Sequence, residues 1–228
     1  MGIQSFFKLN RLTIPTAEPF CIGNVALAIN FSVDNAALNT PGGQRFDKEL
    51  GNDAMIGVLQ NAQAFIENAF SMAPTKNIAQ VTLHVESFDG VAFSYFGGDI
   101  HLSSDYVENN NPGNSQALKT EITGVLYHEE THVLQNSNGA PSGVIEGVAD
   151  FIRLRAGYAV WERRQGGKWD DGYSTTAFFF DWIDSTQTDD FVNKLNQKLG
   201  ITPWNVNFFV DLTGKDVDTL WQEYQNSI

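Results

Sequence analysis

The spacing of apolar residues changes once along this chain, and the change limits what the chain can fold into. Residues 80–88 (QVTLHVESF), 91–96 (VAFSYF) and 99–103 (DIHLS) alternate apolar and polar positions, the period of a strand. Asp89-Gly90 separates the first two runs and predicts a hairpin there. An earlier strand is expected over 25–33 (VALAINFSV), followed by a turn at Asn39-Thr40-Pro41-Gly42-Gly43. Phe46, Leu50, Ile56, Leu59, Ile66 and Phe70 recur at helical spacing, so residues 46–72 read as a helix closed by Pro74. After the loop 109–114 (NNNPGN) the periodic segments are all helical. Ser115 is the expected N-cap of a helix reaching about Gln135, with Leu118, Ile122, Val125, Leu126 and Val133 on one stripe. Pro141-Ser142 opens a second helix, which runs to about Ala156 and is ended by Gly157. Three more are expected at 174–184, 189–199 and 216–226. Strands first and helices afterwards make an α+β fold, a mixed sheet with a helix followed by a helical part.

A chain of 228 residues, 42% hydrophobic, can bury a core without help from disulfides, and one domain spanning 1–228 is expected. Residues 1–23 form an irregular N-terminal extension in this reading. Acidic residues outnumber basic ones, 27 to 14, leaving a net charge of -13 that repels nucleic acid and anionic membrane surfaces. Neither is an expected partner, and a monomer is expected. Cys21 is the sole cysteine, which excludes an intramolecular disulfide and any CxxC metal or redox site. No apolar run is long enough to span a bilayer. The N-terminus lacks a signal-peptide pattern, and Phe6 stands where myristoylation needs Ser or Thr. The sequon Asn30-Phe31-Ser32 falls in a predicted strand and reads as incidental.

The chemistry is concentrated in Tyr127-His128-Glu129-Glu130-Thr131-His132, which contains HExxH. Four residues at about 100° each return to nearly the same helix face, so His128 and His132 can grip one ion. Glu129 sits beside that face, placed to take a proton from water on the ion and pass it to a leaving amine. A catalytic zinc needs a third protein ligand. Gln135 and Asn138 stand where the HExxHxxGxxH pattern would put its glycine and third histidine, so that pattern is excluded. The next helix offers Glu146-Gly147-Val148-Ala149-Asp150. Glu146 can complete a His, His, Glu site while Asp150 accepts the free N–H of a ligating histidine. Asp150 itself is the rival third ligand. Ion pairs to Arg153 or Arg155 are the alternative use of these carboxylates, although like charges four residues apart favour a nearby cation. Gly147 lets two helices approach closely.

The run at 128–157, HEETHVLQNSNGAPSGVIEGVADFIRLRAG, closely resembles the plant basic secretory protein family and its bacterial and fungal relatives. That family's hallmark reads roughly HExTHxxQxxGxGxxPxGLIEGIADYVRLKAG. Further similar stretches are TPGGQRF (40–46), IHLS (100–103), GYSTTA (172–177) and Leu220-Trp221, so the likeness covers most of the chain from about residue 24. The resemblance implies a zincin-like fold, Zn2+ as cofactor, a peptide or protein substrate and metallopeptidase activity. It favours Glu146 as third ligand and implies an extracellular protein.

Peptidases of this kind pair an extended substrate with a strand lining the cleft. The candidate strand is 99–103, with Ile100, His101 and Leu102 facing the substrate; His101 is not expected to be a ligand. Tyr173 is the candidate hydrogen-bond donor to the developing oxyanion. Tyr127 is expected to pack. Phe178-Phe179-Phe180 with Trp182 read as core, and Trp161, Trp169 and Trp204 as core or as an apolar pocket. Asp170-Asp171 and Asp189-Asp190 read as solvated charges. The leading expectation is a zinc-dependent metallopeptidase, an endopeptidase, with Glu129 as general base. The alternatives are a metal-binding but catalytically idle interaction or defence-associated protein, and a metallohydrolase acting on a non-peptide amide.

Overall fold

The computed structural model describes residues 29–71, 78–95 and 97–228. The 1–23 extension, Cys21, Pro74 and the first residues of the expected 25–33 strand lie outside these. The elements in chain order are β1 (Asn30–Asn35), α1 (Pro41–Arg45), α2 (Asn52–Ala69), β2 (Gln80–Glu86), β3 (Ala92–Tyr95), β4 (Asp99–Ser103) and α3 (Ser104–Asn109). Six more helices follow: α4 (Ser115–Leu134), α5 (Ser142–Arg155), α6 (Tyr173–Thr186), α7 (Phe191–Ile201), α8 (Phe208–Thr213) and α9 (Val217–Asn226). The fold is α+β, with a small mixed sheet ahead of the main helical part.

The sheet runs β1-β2-β4-β3, with β1, β2 and β4 parallel and β3 antiparallel to β4. This corrects the hairpin expected at Asp89-Gly90. β2 pairs with β1 and β4, and β3 turns back onto β4 through Gly97-Gly98. The reason lies in the side chains. Ile100 and Leu102 of β4 are fully buried, whereas β3 holds no fully buried residue, so the more apolar strand takes the inner place and the wetter one the edge. The link from β2 to β3 crosses the end of β4, where Ser103 donates through its N–H to Val91 O (2.9 Å) and through Oγ to Phe88 O (2.6 Å).

Val81, Leu83, Val85, Ile100 and Leu102 project from one sheet face onto Leu59 of α2 and onto Leu118, Ile122, Val125 and Leu126 of α4. A second core forms from the helical part around Val144, Val148, Phe178, Phe179, Phe180, Trp182 and Phe209. Tyr127 and Leu134 of α4 belong to this second core. The α4 helix is therefore covered on several sides, which is why buried residues run almost unbroken from Gly124 to Leu134 instead of forming a single stripe.

Several local expectations shift. The turn at 39–43 is helical at its end: Thr40 caps α1 by accepting from Gly43 N (3.0 Å), and Pro41 occupies the first position, where its missing N–H costs nothing. The predicted helix 46–72 is a π-helical turn, Phe46–Leu50, followed by α2 after Gly51 (φ 77). Asn114 rather than Ser115 caps α4, its Oδ1 accepting from Ala117 N at 3.0 Å. The helices α3 and α8, six residues each, are too short to leave a periodic signal. Among the described residues, no helix is long and apolar enough to cross a membrane.

Candidate active site

The α4 helix presents His128, Glu129 and His132 on the side that meets α5, and α5 answers with Glu146 and Asp150. His128 Nε2 lies 3.0 Å from His132 Nε2 and 3.2 Å from Glu146 Oε2, and His132 Nε2 lies 3.4 Å from Glu146 Oε2. Three donors at bond lengths of about 2.0–2.1 Å from one tetrahedral ion stand roughly 3.3 Å apart. The triangle therefore has the size a zinc-like ion requires. Among the described residues, this is the only group of three His, Cys, Asp or Glu side chains that converges in this way. The pairs Asp170-Asp171 and Asp189-Asp190 contribute no such cluster.

Protonation favours the same arrangement. His128 Nδ1 meets Asp150 Oδ1 at 2.7 Å. A proton on Nδ1 leaves the Nε2 lone pair aimed at the second imidazole and at a carboxylate, a grouping that calls for positive charge. Burial alone pushes His128 down, but Asp150 and Glu146 outweigh it and raise the pKa to about 9. Burial pushes Glu146 up, yet hydrogen bonds to the two histidines bring it to about 2. Asp150, on the far nitrogen of His128, is placed to orient that ring rather than to complete the triangle.

Glu129 is 6% exposed, and its Oε2 has no protein partner. Burial raises its pKa, while His128, His132 and the Ser94 hydroxyl pull the other way. Tyr173 opens α6 in the left-handed region (φ 46), just after Gly172 (φ 86). Its ring lies nearly parallel to that of His128, 6.0 Å away, and its phenol is raised by burial and by Glu146. The chain just before Tyr173 is pressed against α5. A Cβ at Gly143 would collide with the Asp170 carbonyl, and one at Gly147 with the Thr176 side chain of α6.

Other expected residues fall elsewhere. Ile100, His101 and Leu102 lie on β4, which is hydrogen-bonded to β2 on one side and β3 on the other, so this strand has no free edge for a substrate. Ile100 and Leu102 are core, and His101 sits on the opposite face, stacked with His84 and Phe93. The edge is β3, and Val91, Ala92, Phe93 and Ser94 line the cleft. Arg153 and Arg155 do not pair with Glu146 or Asp150: Arg153 binds Glu121, and Arg155 binds Asp181 and Asp184. Tyr127 packs with Phe65 and Tyr158. Trp169 and Trp204 pack on the helical core, and Trp161 borders the cleft as well.

Sequence reasoning passed over Ser94 and Gln135. The Gln135 amide lies 2.6 Å from His132 Nδ1 and 3.3 Å from Ile145 O, tying the second histidine to α5. Its place in the HExTHxxQ pattern was the available signal. The whole cleft encloses about 740 Å3.

One family model, described as peptidase of plants and bacteria, matches residues 26–224. No curated protein and no solved structure matches the chain.

Proposed function

This chain belongs to the family of peptidases of plants and bacteria, and from that premise we propose that it is a zinc-dependent endopeptidase of zincin-like type. The observation that carries the reading is the near-equilateral triangle of His128 Nε2, His132 Nε2 and Glu146 Oε2, with the carboxylate of Glu129 beside it. Zinc held by these three would polarise a water and the carbonyl under attack.

The remaining work falls to the chain's own groups. Glu129 acts as general base and then as general acid, taking a proton from water and delivering it to the departing amine. Its buried setting keeps its pKa above that of an ordinary glutamate, which suits a group that must both accept and release a proton. Asp150 holds Nδ1–H of His128 and fixes the tautomer that leaves Nε2 free to ligate. Gln135 holds the ring of His132. The Tyr173 hydroxyl donates to the developing oxyanion. The edge strand β3 pairs with an extended substrate along Val91–Ser94, and a chain lying along an edge need not present a terminus, which favours endopeptidase action.

The test is digestion of a peptide mixture by zinc-loaded protein, with and without chelator, beside the Glu129→Gln variant. Cleavage that stops on chelation and returns with zinc is expected. The variant is expected to keep its zinc and lose turnover by about 10²–10⁴. Full activity in Glu129→Gln, or cleavage indifferent to chelation, would overturn the reading. An idle binding protein would have no use for a carboxylate at residue 129.

A further inference from the structure

The cleft continues past His128 along α4 toward its N-terminus. Val125 and Glu121, three and seven residues before His128, lie on the same helix face and line the cleft. Arg153 on α5, one turn beyond Asp150, meets Glu121 from the other side, Nη2 donating to Oε2 at 2.8 Å. The second oxygen of Glu121 accepts from Tyr106 OH at 2.9 Å. Arg153 Nε donates to Tyr158 O at 3.2 Å, and the guanidinium sits 4.8 Å above the Trp161 ring. The side chain of Arg153 is only 9% exposed. Yet Nη1 has no acceptor among the described residues, although Arg153 borders the cleft. A guanidinium held this firmly at the cleft wall, with both Nη1 N–H groups unanswered by protein, offers a fixed donor to an acceptor from a ligand.

We propose that this side pocket selects a primary carboxamide, glutamine above all, in the residue next to the bond being cleaved. The proposal rests on the peptidase reading and names the substrate class within it. A carboxamide carries both kinds of group the pocket answers: its carbonyl accepts from Arg153 Nη1, and its NH2 donates to the Glu121 carboxylate. The ion pair leaves the floor near neutral. A carboxylate side chain meets the charge of Glu121, an ammonium meets that of Arg153, and an aliphatic side chain leaves the N–H groups of Arg153 unpaired. Val125 and Ile145 flank the methylene stem, and Trp161 offers a flat wall to the amide plane. Glu121 lies about 10 Å along the helix axis from His128, which favours glutamine over the shorter asparagine.

The experiment uses the full chain and peptides identical except for Gln, Glu, Lys or Leu on one or the other side of the scissile bond. Two readouts are taken: kcat/KM with the zinc-loaded enzyme, and calorimetric binding to the zinc-loaded Glu129→Gln variant. Gln is expected to exceed each of the others by about tenfold or more at one position, in both readouts. Because Arg153 is buried and its removal endangers folding, the decisive variant is the isosteric Glu121→Gln. It makes the floor positive, and the Glu peptide is expected to overtake the Gln peptide. Leu preferred at both positions, or a ranking unchanged in Glu121→Gln, would overturn the pocket's assignment. Selective binding of the Gln peptide without any cleavage would sink the peptidase reading and leave the pocket standing. Cleavage without amide preference would do the reverse.

Discussion

Glu129 and Glu130 are neighbours on α4, both withdrawn from solvent, and they look out from different sides of the helix. On the cleft side, Glu129 faces His128, His132 and Ser94. On the α2 side, Glu130 is 0% exposed, neither of its oxygens has a partner, and the charged group that acts on it is another carboxylate, Glu67. Burial and Glu67 push Glu130 up to about 8. Nearby Gln63 spends its amide N–H on Glu67 (2.6 Å), and its own Oε1 is unsatisfied. Two equal side chains one residue apart thus stand in opposite positions. In the cleft, the cost of burying a carboxyl is partly met by His128, His132 and Ser94, and the proposed function gives that carboxyl protons to move; behind the helix it is met by nothing among the described residues and weakens the fold.

The contrast is broken most severely at the triangle of His128, His132 and Glu146. Glu146→Ala removes one of the three donors, so stoichiometric zinc and peptide hydrolysis are both expected to be lost, with a penalty beyond the ~10–100-fold typical of residues that only support a ligand. Metal content and initial rates check this, and a variant retaining both would detach Glu146 from the site. Asp150→Asn leaves the triangle intact but weakens the hold on His128, and a loss of ~10–100-fold in zinc affinity or activity is expected. Chelator-competition titration reads it. Tyr173→Phe is expected to lower kcat by about tenfold with KM little changed. That is less than a fully enclosed oxyanion donor supplies, because Tyr173 is 57% exposed. A change confined to KM would make Tyr173 a substrate-packing residue instead.

The smallest effect sharpens the other side of the comparison. Between pH about 4.5 and 8 the unfolded chain releases the Glu130 proton while the folded protein keeps it, so this residue lowers stability progressively as pH rises through that window. Glu130→Gln removes that dependence and is expected to stabilise the protein at pH 8, with little gain at pH 4. Denaturant melts at the two pH values test it, and an equal or opposite change would show that Glu130 has a partner in the folded state.

Much of this was legible in the sequence because it is local. The four-residue step from His128 to His132 and the Glu146–Asp150 step each depend only on helix geometry, and both survive in the structure as shared faces. The helical part followed its apolar period to within a few residues. What could not be read was non-local. Asp89-Gly90 is a sound hairpin signal, but the choice of β4 over β3 as neighbour of β2 depends on which strand is buried more deeply, and that depends on α2 and α4 packing across the sheet. The same non-local choice puts Ile100, His101 and Leu102 on an inner strand and leaves β3 at the edge. Arg153 looked like a partner for Glu146 by sequence spacing, whereas the fold brings Glu121, thirty-two residues away, to it. The burial of Glu130 left no trace in the sequence, since a second glutamate after HE reads as an ordinary helix-surface residue.

The central claim is that two imidazoles from α4 and one carboxylate from α5 hold a single zinc ion. X-ray absorption at the zinc edge, on protein loaded with one equivalent of metal, tests it directly when paired with the Glu146→Ala variant. The account predicts a four-coordinate site with two imidazole nitrogens and the rest oxygen in the parent, lost or altered in the variant. No stoichiometric zinc, or a spectrum identical in the two proteins, would contradict it.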